Sequence, residues 1–292
     1  MNNLNNFRKT NQKDKREGYT MIEILVVISI IGFMLSAAMY LLTSSRENAR
    51  IARAKEFASI VNGKLGSSLI GWWALDEGSG NNANDGWAKN NGCQRLGSPA
   101  WVDGILGKAL YFNVAGGADY YSVPHNCSTQ GSFSPPITSS DITITAWFKT
   151  ISVGTILALG RSSGGTCLTE FGGFGLENTA GSDQGKVVAP DSSSEVRGNK
   201  DYRDDKWHFV AVKMGSGGVQ IWVDGALDGS SLTNTVTVTN NTYMLIGVGT
   251  GCHWGAFTGT IDDVKLYNES LTAQEIQKYY AEGAPKHELA VK

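Results

Sequence analysis

A chain of 292 residues with 41% hydrophobic and 18% charged side chains can bury a sizeable core, which excludes a disordered tail. Its 36 glycines against 6 prolines, with ordinary aromatic content, favour an all-β domain with many turns over low-complexity linker. The formal charge of −2, and the lack of a basic stripe interleaved with aromatics beyond the first helix, exclude the electrostatic footprint of a nucleic-acid-binding protein.

The first eighteen residues carry Arg8, Lys9, Lys13, Lys15 and Arg16 against Asp14 and Glu17, a net +3, so the chain beyond them stands near −5. There follows Gly18-Tyr19-Thr20-Met21-Ile22-Glu23, and then an apolar run from Ile24 to Leu42. Glu23 is the only acid close to that run, and an acid at the centre of a membrane helix costs about 2.5–3.5 kcal/mol, so its position points to function. The run matches the roughly 20 residues that a span needs, predicting a transmembrane helix at about 22–43. Ser29, Ser36 and Thr43 interrupt it without charge, and Gly32 is its one weak point. A secretory signal would have a shorter apolar region and a small-residue cut site. An uncleaved anchor is the other reading, and Arg46, Arg50, Arg53 and Lys55 beyond the run weaken any positive-inside contrast.

This pattern resembles the leader and first helix of a type IV prepilin or pseudopilin, with tyrosine where phenylalanine or methionine is usual. The resemblance implies a leader at 1–18, cleavage after Gly18 by a prepilin peptidase, N-methylation of Tyr19, and use of Glu23 in assembly with other pilin subunits. The physics agrees: a new ammonium at Tyr19 would lie on the positive end of the helix dipole, and a carboxylate one turn inward offsets both. Paired with a neighbour's amine, Glu23 would make docking directional.

Beyond Ser44-Ser45 the segment Arg46 to Leu65 continues as helix, with Ile51, Ala54, Ala58, Val61 and Leu65 in one narrow stripe. That stripe faces either a filament core or the chain's own head, and the pilin-like helix at 19–66 ends at Asn62-Gly63 and Gly66. From Gly71 onward the text becomes short β segments between Gly, Asn, Ser and Asp loops. Ile142 to Lys149 alternates with Ile142, Ile144, Ala146 and Phe148 on one face; Trp207 to Met214 and Val219 to Val223 read likewise, and Asp224-Gly225 makes a hairpin turn. Strands with such turns predict a β-sandwich.

The stretches Trp73-Ala-Leu-Asp-Glu-Gly-Ser-Gly80, Gly107-Lys-Ala-Leu-Tyr-Phe-Asn113, Ile144 to Phe148, Trp207 to Val212, Ile221-Trp-Val-Asp-Gly225 and Gly259 to Tyr267 together resemble a laminin-G-like, concanavalin-A-type jelly roll spanning residues 69–283. The resemblance implies two antiparallel sheets face to face, binding of glycans or extracellular proteins, and calcium as a frequent cofactor. Thr272-Ala-Gln-Glu275 is a capping box, with Leu271 and Ile276 as its hydrophobic staple, opening a short helix that Gly283 stops; 284–292 reads as a flexible tail. Cys93, Cys127, Cys167 and Cys252 all follow the membrane segment, where an even number in an exported domain points to disulfides. The jelly roll favours Cys93 with Cys127 and Cys167 with Cys252, since each pair falls in loops brought to one region. Zinc, the alternative, lacks a supporting Cys/His spacing.

In Ile261-Asp262-Asp263-Val264-Lys265-Leu266, alternation puts Asp262 on the face of Val264 and Leu266, where a carboxylate needs a partner unless a bulge turns it outward. The resemblance makes that partner a structural calcium, with Asp76 in the shell; the alternative is a carboxylate accepting main-chain hydrogen bonds. Trp87, Trp101 and Trp254 lie in or beside loops, where aromatics stack on sugar faces, and His253-Trp254 beside Cys252 is the favoured contact loop. His208 reads as a strand residue and Asp204-Asp205 as a turn. No Glu-x-Asp-x-Glu run and no nucleophile-elbow serine occur, so no enzyme is expected.

The expected fold is α+β, a long N-terminal membrane-spanning helix before an all-β antiparallel jelly roll with a short C-terminal helix. The expected function is a minor or specialised pilin displaying a lectin-like head for adhesion, single-pass in the cytoplasmic membrane before assembly and then on the pilus or cell surface. A type II secretion pseudopilin and a membrane-anchored glycan-binding protein that forms no filament are the alternatives.

Overall fold

A computed structural model describes residues 21–35, 68–105, 107–114, 119–162, 168–190, 195–232, 243–248 and 255–290. The chain divides into two compact units, Met1–Lys64 and Leu65–Lys292. In the first, helix α1 covers residues 21–35, with every side chain exposed and Ser29 Oγ donating back to the Leu25 carbonyl at 2.7 Å. Among the described residues no helix is long and apolar enough to cross a membrane. The rest of the expected span at 22–43 lies outside them, as do Gly18, Tyr19 and the stripe from Ile51 to Leu65.

The second unit opens with strands β1 (Leu69–Trp73), β2 (Asn82–Ala83), β3 (Gly92–Leu96), β4 (Ala100–Asp103), β5 (Lys108–Phe112), β6 (Tyr120–Val123), β7 (Ile142–Lys149) and β8 (Gly154–Ser162). It continues with β9 (Leu168–Leu176), β10 (Lys186–Pro190), β11 (Glu195–Asp201), β12 (Trp207–Gly215), β13 (Gly218–Val223), β14 (Ala226–Ser231), β15 (Tyr243–Ile246) and β16 (Gly259–Tyr267), and closes with helix α2 (Ala273–Ala290). The strands form two antiparallel sheets. One runs β14-β13-β12-β7-β16-β5-β4 with β1 also on β16; the other runs β11-β10-β9-β8-β15-β6-β3-β2.

Strand alternation sets the core between them. Ile142, Ile144, Ala146 and Phe148 are all fully buried in it, as the sequence predicts, beside Val210 and Val212 of β12 and Ile221 of β13. The opposite sheet supplies Tyr121, Met244, Ile246, Leu157, Leu159 and Phe174. The β13–β14 hairpin turns at Asp224 (φ 51°) and Gly225 (φ 77°), both left-handed, the geometry that favours Asp-Gly.

Helix α2 begins as expected. Thr272 N–H donates to Glu275 Oε2 at 2.7 Å, Glu275 N–H donates to Thr272 Oγ1 at 3.3 Å, and Leu271 and Ile276 are fully buried. It does not stop at Gly283: the helix runs through Pro285 to Ala290, so most of the expected tail at 284–292 is helical. The glycine serves packing instead. A Cβ there would lie 2.3 Å from Trp147 Cζ2, so its absence lets the helix lie on the outward-facing Trp147, whose ring stacks on Tyr280 at 5.9 Å.

Strand β16 corrects a second expectation. Its pairing with β7 slips between Asp262 and Lys265, and Asp263 sits at φ 48°, so one extra residue interrupts the alternation. Ile261, Val264 and Leu266 all reach the core cluster, and Asp262 points to the other face. The slip falls where β16 exchanges partners: Gly259 to Ile261 pair with β5, and Val264 to Tyr267 with β1.

Candidate functional site

The acids singled out by the sequence meet at one turn. Asp262 is on the outer face yet fully buried, because the turn between β4 and β5 lies against it: Ile105 N–H donates to Asp262 Oδ2 at 2.8 Å. Asp76, in the loop after β1, accepts Lys108 N–H on Oδ1 at 2.6 Å from the same turn. Glycines make the approach possible, since a Cβ on Gly104 would lie 2.4 Å from Asp262 Oδ2 and one on Gly107 2.1 Å from Asp76 Oδ1. Both acids therefore make the main-chain hydrogen bonds that the sequence left as the alternative to a metal. Among the described residues no group of three or more His, Cys, Asp and Glu side chains could hold a metal ion. Asp103, which ends β4 beside Gly104, is a third acid at this turn and pairs with the Lys108 ammonium at 2.7 Å.

The aromatic candidates separate. Trp87 sits on the loop between β2 and β3, 37% exposed, with its N–H on Asp85 Oδ1 at 2.9 Å. Trp101 stands beside the loop, as the second residue of β4, packs against the core, and donates its indole N–H to the Gly80 carbonyl at 3.1 Å. It pairs with Leu110 of β5 on the strand that ends the sheet. His253 and Trp254 lie outside the described residues, as do Cys167 and Cys252.

The structure adds Trp72, which the sequence analysis did not single out. Trp73 points into the core, so its neighbour must point out, and Trp72 is 36% exposed. Its indole N–H donates to Asp263 Oδ1 at 2.6 Å, and the Lys265 ammonium lies 5.4 Å from its ring. Its backbone N–H reaches the same Asp85 Oδ1 that holds Trp87, so one buried carboxylate sets the backbone carrying both half-exposed tryptophans.

The Cys93–Cys127 disulfide ties β3 to the loop after β6. His125 in that loop is buried and accepts Cys127 N–H on Nδ1 at 2.8 Å; burial, then the nearby Arg95, pull its pKa below the ordinary value.

His208, in β12 as expected, is held more tightly than a strand position alone requires. Nδ1 lies 2.8 Å from Asp224 Oδ2 and Nε2 3.0 Å from Asp204 Oδ1, so carboxylates from two turns grip one ring. Burial pulls its pKa down, but Asp224 and then Asp204 outweigh it and hold the imidazolium above its usual value. A raised folded pKa stabilises below the unfolded value, about 6.5, and that contribution fades as pH rises through the folded value. The full chain in detergent is therefore expected to melt higher at pH 6 than at pH 8 by an increment that His208→Gln removes, measured above the range where Asp204, whose pKa is lowered, begins to titrate.

Residues 13–39 match the prokaryotic N-terminal methylation motif. No curated protein matches the chain. Among solved structures it is similar to domain 4 of AbnA, an extracellular arabinanase from Geobacillus stearothermophilus, in complex with arabinotriose: 17% identity, TM-score 0.54, covering 72% of this chain and 97% of that one. It is also similar to Trypanosoma rangeli sialidase with the inhibitor DANA, at 16% identity and TM-score 0.54, over 73% of this chain but only 32% of the sialidase. A third is the receptor-binding domain of botulinum neurotoxin mosaic serotype C/D, at 14% identity and TM-score 0.52, over 75% of this chain and 52% of that domain. At these identities the likeness is one of fold. The second sequence match spans residues 115–277, more than half of the chain, and although it begins after β5, the strands before it complete the same two sheets. The chain belongs to the concanavalin A-like lectin/glucanase superfamily.

Proposed function

We propose that this chain is a pilin-like subunit, minor or specialised, that displays a lectin-like head for adhesion or surface recognition. The observation that carries the reading is the union of two parts in one chain: a methylation motif over residues 13–39, in register with Gly18, Tyr19 and Glu23, and a concanavalin A-like domain behind it. Helix α1 supports it, because a helix exposed and apolar on nearly all sides, from Ile22 to Leu35, needs lipid or neighbouring helices as cover. Before assembly that cover is the membrane; in a filament it is other subunits. Glu23, at the start of the apolar stretch, would pair with an N-terminal ammonium.

The head's task is binding. The arabinanase domain was solved with arabinotriose, which supports an oligosaccharide as ligand class here, with Trp87 and Trp72 as stacking surfaces. The reading is non-enzymatic, and its partners are other pilins, the prepilin peptidase, the membrane and a surface glycan or extracellular protein.

N-terminal sequencing and intact mass of the protein recovered from cell-surface material test the reading. A chain beginning at N-methylated Tyr19 is expected; one that retains residues 1–18 overturns it in favour of a fixed anchor. Glu23→Ala is expected to insert in the membrane normally and to lose most of its incorporation into filaments. Unchanged incorporation would sink the role given to Glu23.

A further inference from the structure

Two carboxylates address the two nitrogens of one imidazole: Asp224 Oδ2 lies 2.8 Å from Nδ1 of His208 and Asp204 Oδ1 3.0 Å from Nε2. An ionised carboxylate only accepts, so both contacts are hydrogen bonds only while both ring nitrogens carry protons. Neutral imidazole has one N–H and sets its lone pair against the other acid. Around the ring also stand Phe148 of β7 at 5.7 Å and, edge-on, Tyr202 at 4.9 Å, whose phenol burial and then the Asp228 charge push up and keep neutral.

The two acids are not held alike. Asp224, in the β13–β14 turn, accepts Phe209 N–H on Oδ1 at 3.0 Å and donates its own N–H to the Phe209 carbonyl at 2.9 Å, so it is fixed to β12 without His208. Asp204 sits in the turn that carries the chain from β11 in one sheet to β12 in the other. It is 39% exposed, and the Lys206 ammonium lies 3.2 Å from its Oδ2 as a second counter-charge. Just before it, Arg203 is clamped on Asp201 and Tyr202 N–H on the Gly185 carbonyl at 3.1 Å, which leaves 204–206 as the part free to move. Asp205 stands there at φ 59°, a left-handed conformation uncommon outside glycine. Its N–H donates to the Thr150 carbonyl at 3.1 Å and its carboxylate lies 3.5 Å from the Lys149 ammonium, so this turn also braces the β7–β8 turn.

We propose that His208 is a pH-operated latch: protonated, it ties the β11–β12 turn to the β13–β14 hairpin, and neutral, it keeps Asp224 through an Nδ1 proton and releases Asp204. The proton leaves Nε2 because that contact is the longer one and its acid has Lys206 to turn to. Burial lowers the histidine's pKa, but Asp224 and then Asp204 outweigh it, so the latch is closed in mild acid and opens as pH rises through a value above about 6.5. Asp204 stays ionised throughout, burial being outweighed by its bonds to His208 and Lys206. Register places the latch away from the point where the chain enters the head at Ser68. Leu69 faces Tyr267 and Tyr267 faces Thr143, whereas Trp207 faces Lys149 at the other end of β7. Opening therefore loosens the far end of the head and leaves the entry end closed.

Imidazole 15N spectra of the full chain in detergent, followed with pH, read the latch directly: neutral His208 is expected to carry its proton on Nδ1. Hydrogen exchange at the Asp205 amide, corrected for its base-catalysed rate, is expected to rise by about tenfold or more across the His208 titration, the ratio one charge-assisted hydrogen bond supports, while the Phe209 amide stays protected. In Asp204→Asn the side-chain amide can donate to the Nε2 lone pair, so the turn is expected to stay held on both sides of the titration. An Nε2 proton on neutral His208, exchange at Asp205 that does not follow the titration, or an equal rise in Asp204→Asn overturns the proposal.

Discussion

Replacing Asp262 by alanine is expected to destabilise the head by about 2–3 kcal/mol, one of the two largest effects a substitution here should produce. The carboxylate is fully buried and receives Ile105 N–H, so its removal leaves a buried donor unpaired and opens a void beneath the β4–β5 turn. Nothing can collapse into that void cheaply, because Gly104 has no side chain to offer. Asp262→Asn preserves an acceptor oxygen in nearly the same place and is expected to cost less than half as much. Unfolding of the full chain in detergent, by heat or denaturant, measures both. Treatment with a chelator separates hydrogen bonding from metal binding: if the accepted N–H groups alone hold the turn the melting temperature stays where it was, and a fall would assign calcium to this turn. Equal losses in the two variants would mean that charge, not the accepted N–H, holds the turn.

The same residue shows where sequence reading stops. That Asp262 needs a partner was legible, because an acid in a strand of Ile, Val and Leu has to be accounted for. Which face it takes was not, since the left-handed Asp263 inserts one residue and reverses every position after it, and no periodicity reports a bulge in advance. The face of Ile142, Ile144, Ala146 and Phe148 was legible because β7 alternates over its whole length, paired on both sides with no slip against β12. Gly283 reads as a stop because glycine ends many helices. Its actual reason is Trp147, far away in sequence, and contacts of that kind have no local signature. The grip on His208 is similar, since Asp204 and Asp224 reach it from separate turns that only the folded hairpin brings together. The candidate ligand surface was half legible. Trp87 was named for its loop, whereas Trp72 was hidden beside Trp73 although alternation alone demands that one of two adjacent strand tryptophans face outward.

Loss of the Cys93–Cys127 bond is expected to cost about 3–4 kcal/mol, the chain-entropy value for a loop closed over a separation of 34 residues. For a domain of this size that lowers the melting temperature by on the order of 10 °C. The location adds to the effect. The bond holds β3 at the far side of the second sheet, where the only further strand among the described residues is the two-residue β2, too short to secure that edge by backbone pairing. Cys127 itself sits at φ 67°, in a loop that His125 N–H also ties to the Asn91 carbonyl at 2.7 Å and Gly131 N–H to the Pro124 carbonyl at 3.0 Å, so the covalent tie adds to a hydrogen-bonded turn. The double variant Cys93→Ser with Cys127→Ser, compared with full reduction of the unaltered chain, assigns the effect. If the double variant reproduces the whole loss on reduction, this one bond accounts for the redox-dependent stability of the head. If reduction costs clearly more, Cys167 and Cys252 contribute a second bond, as the paired count of cysteines in an exported domain leads one to expect. A double variant that melts with the unaltered chain would instead show that β3 and β6 fix this edge without covalent help.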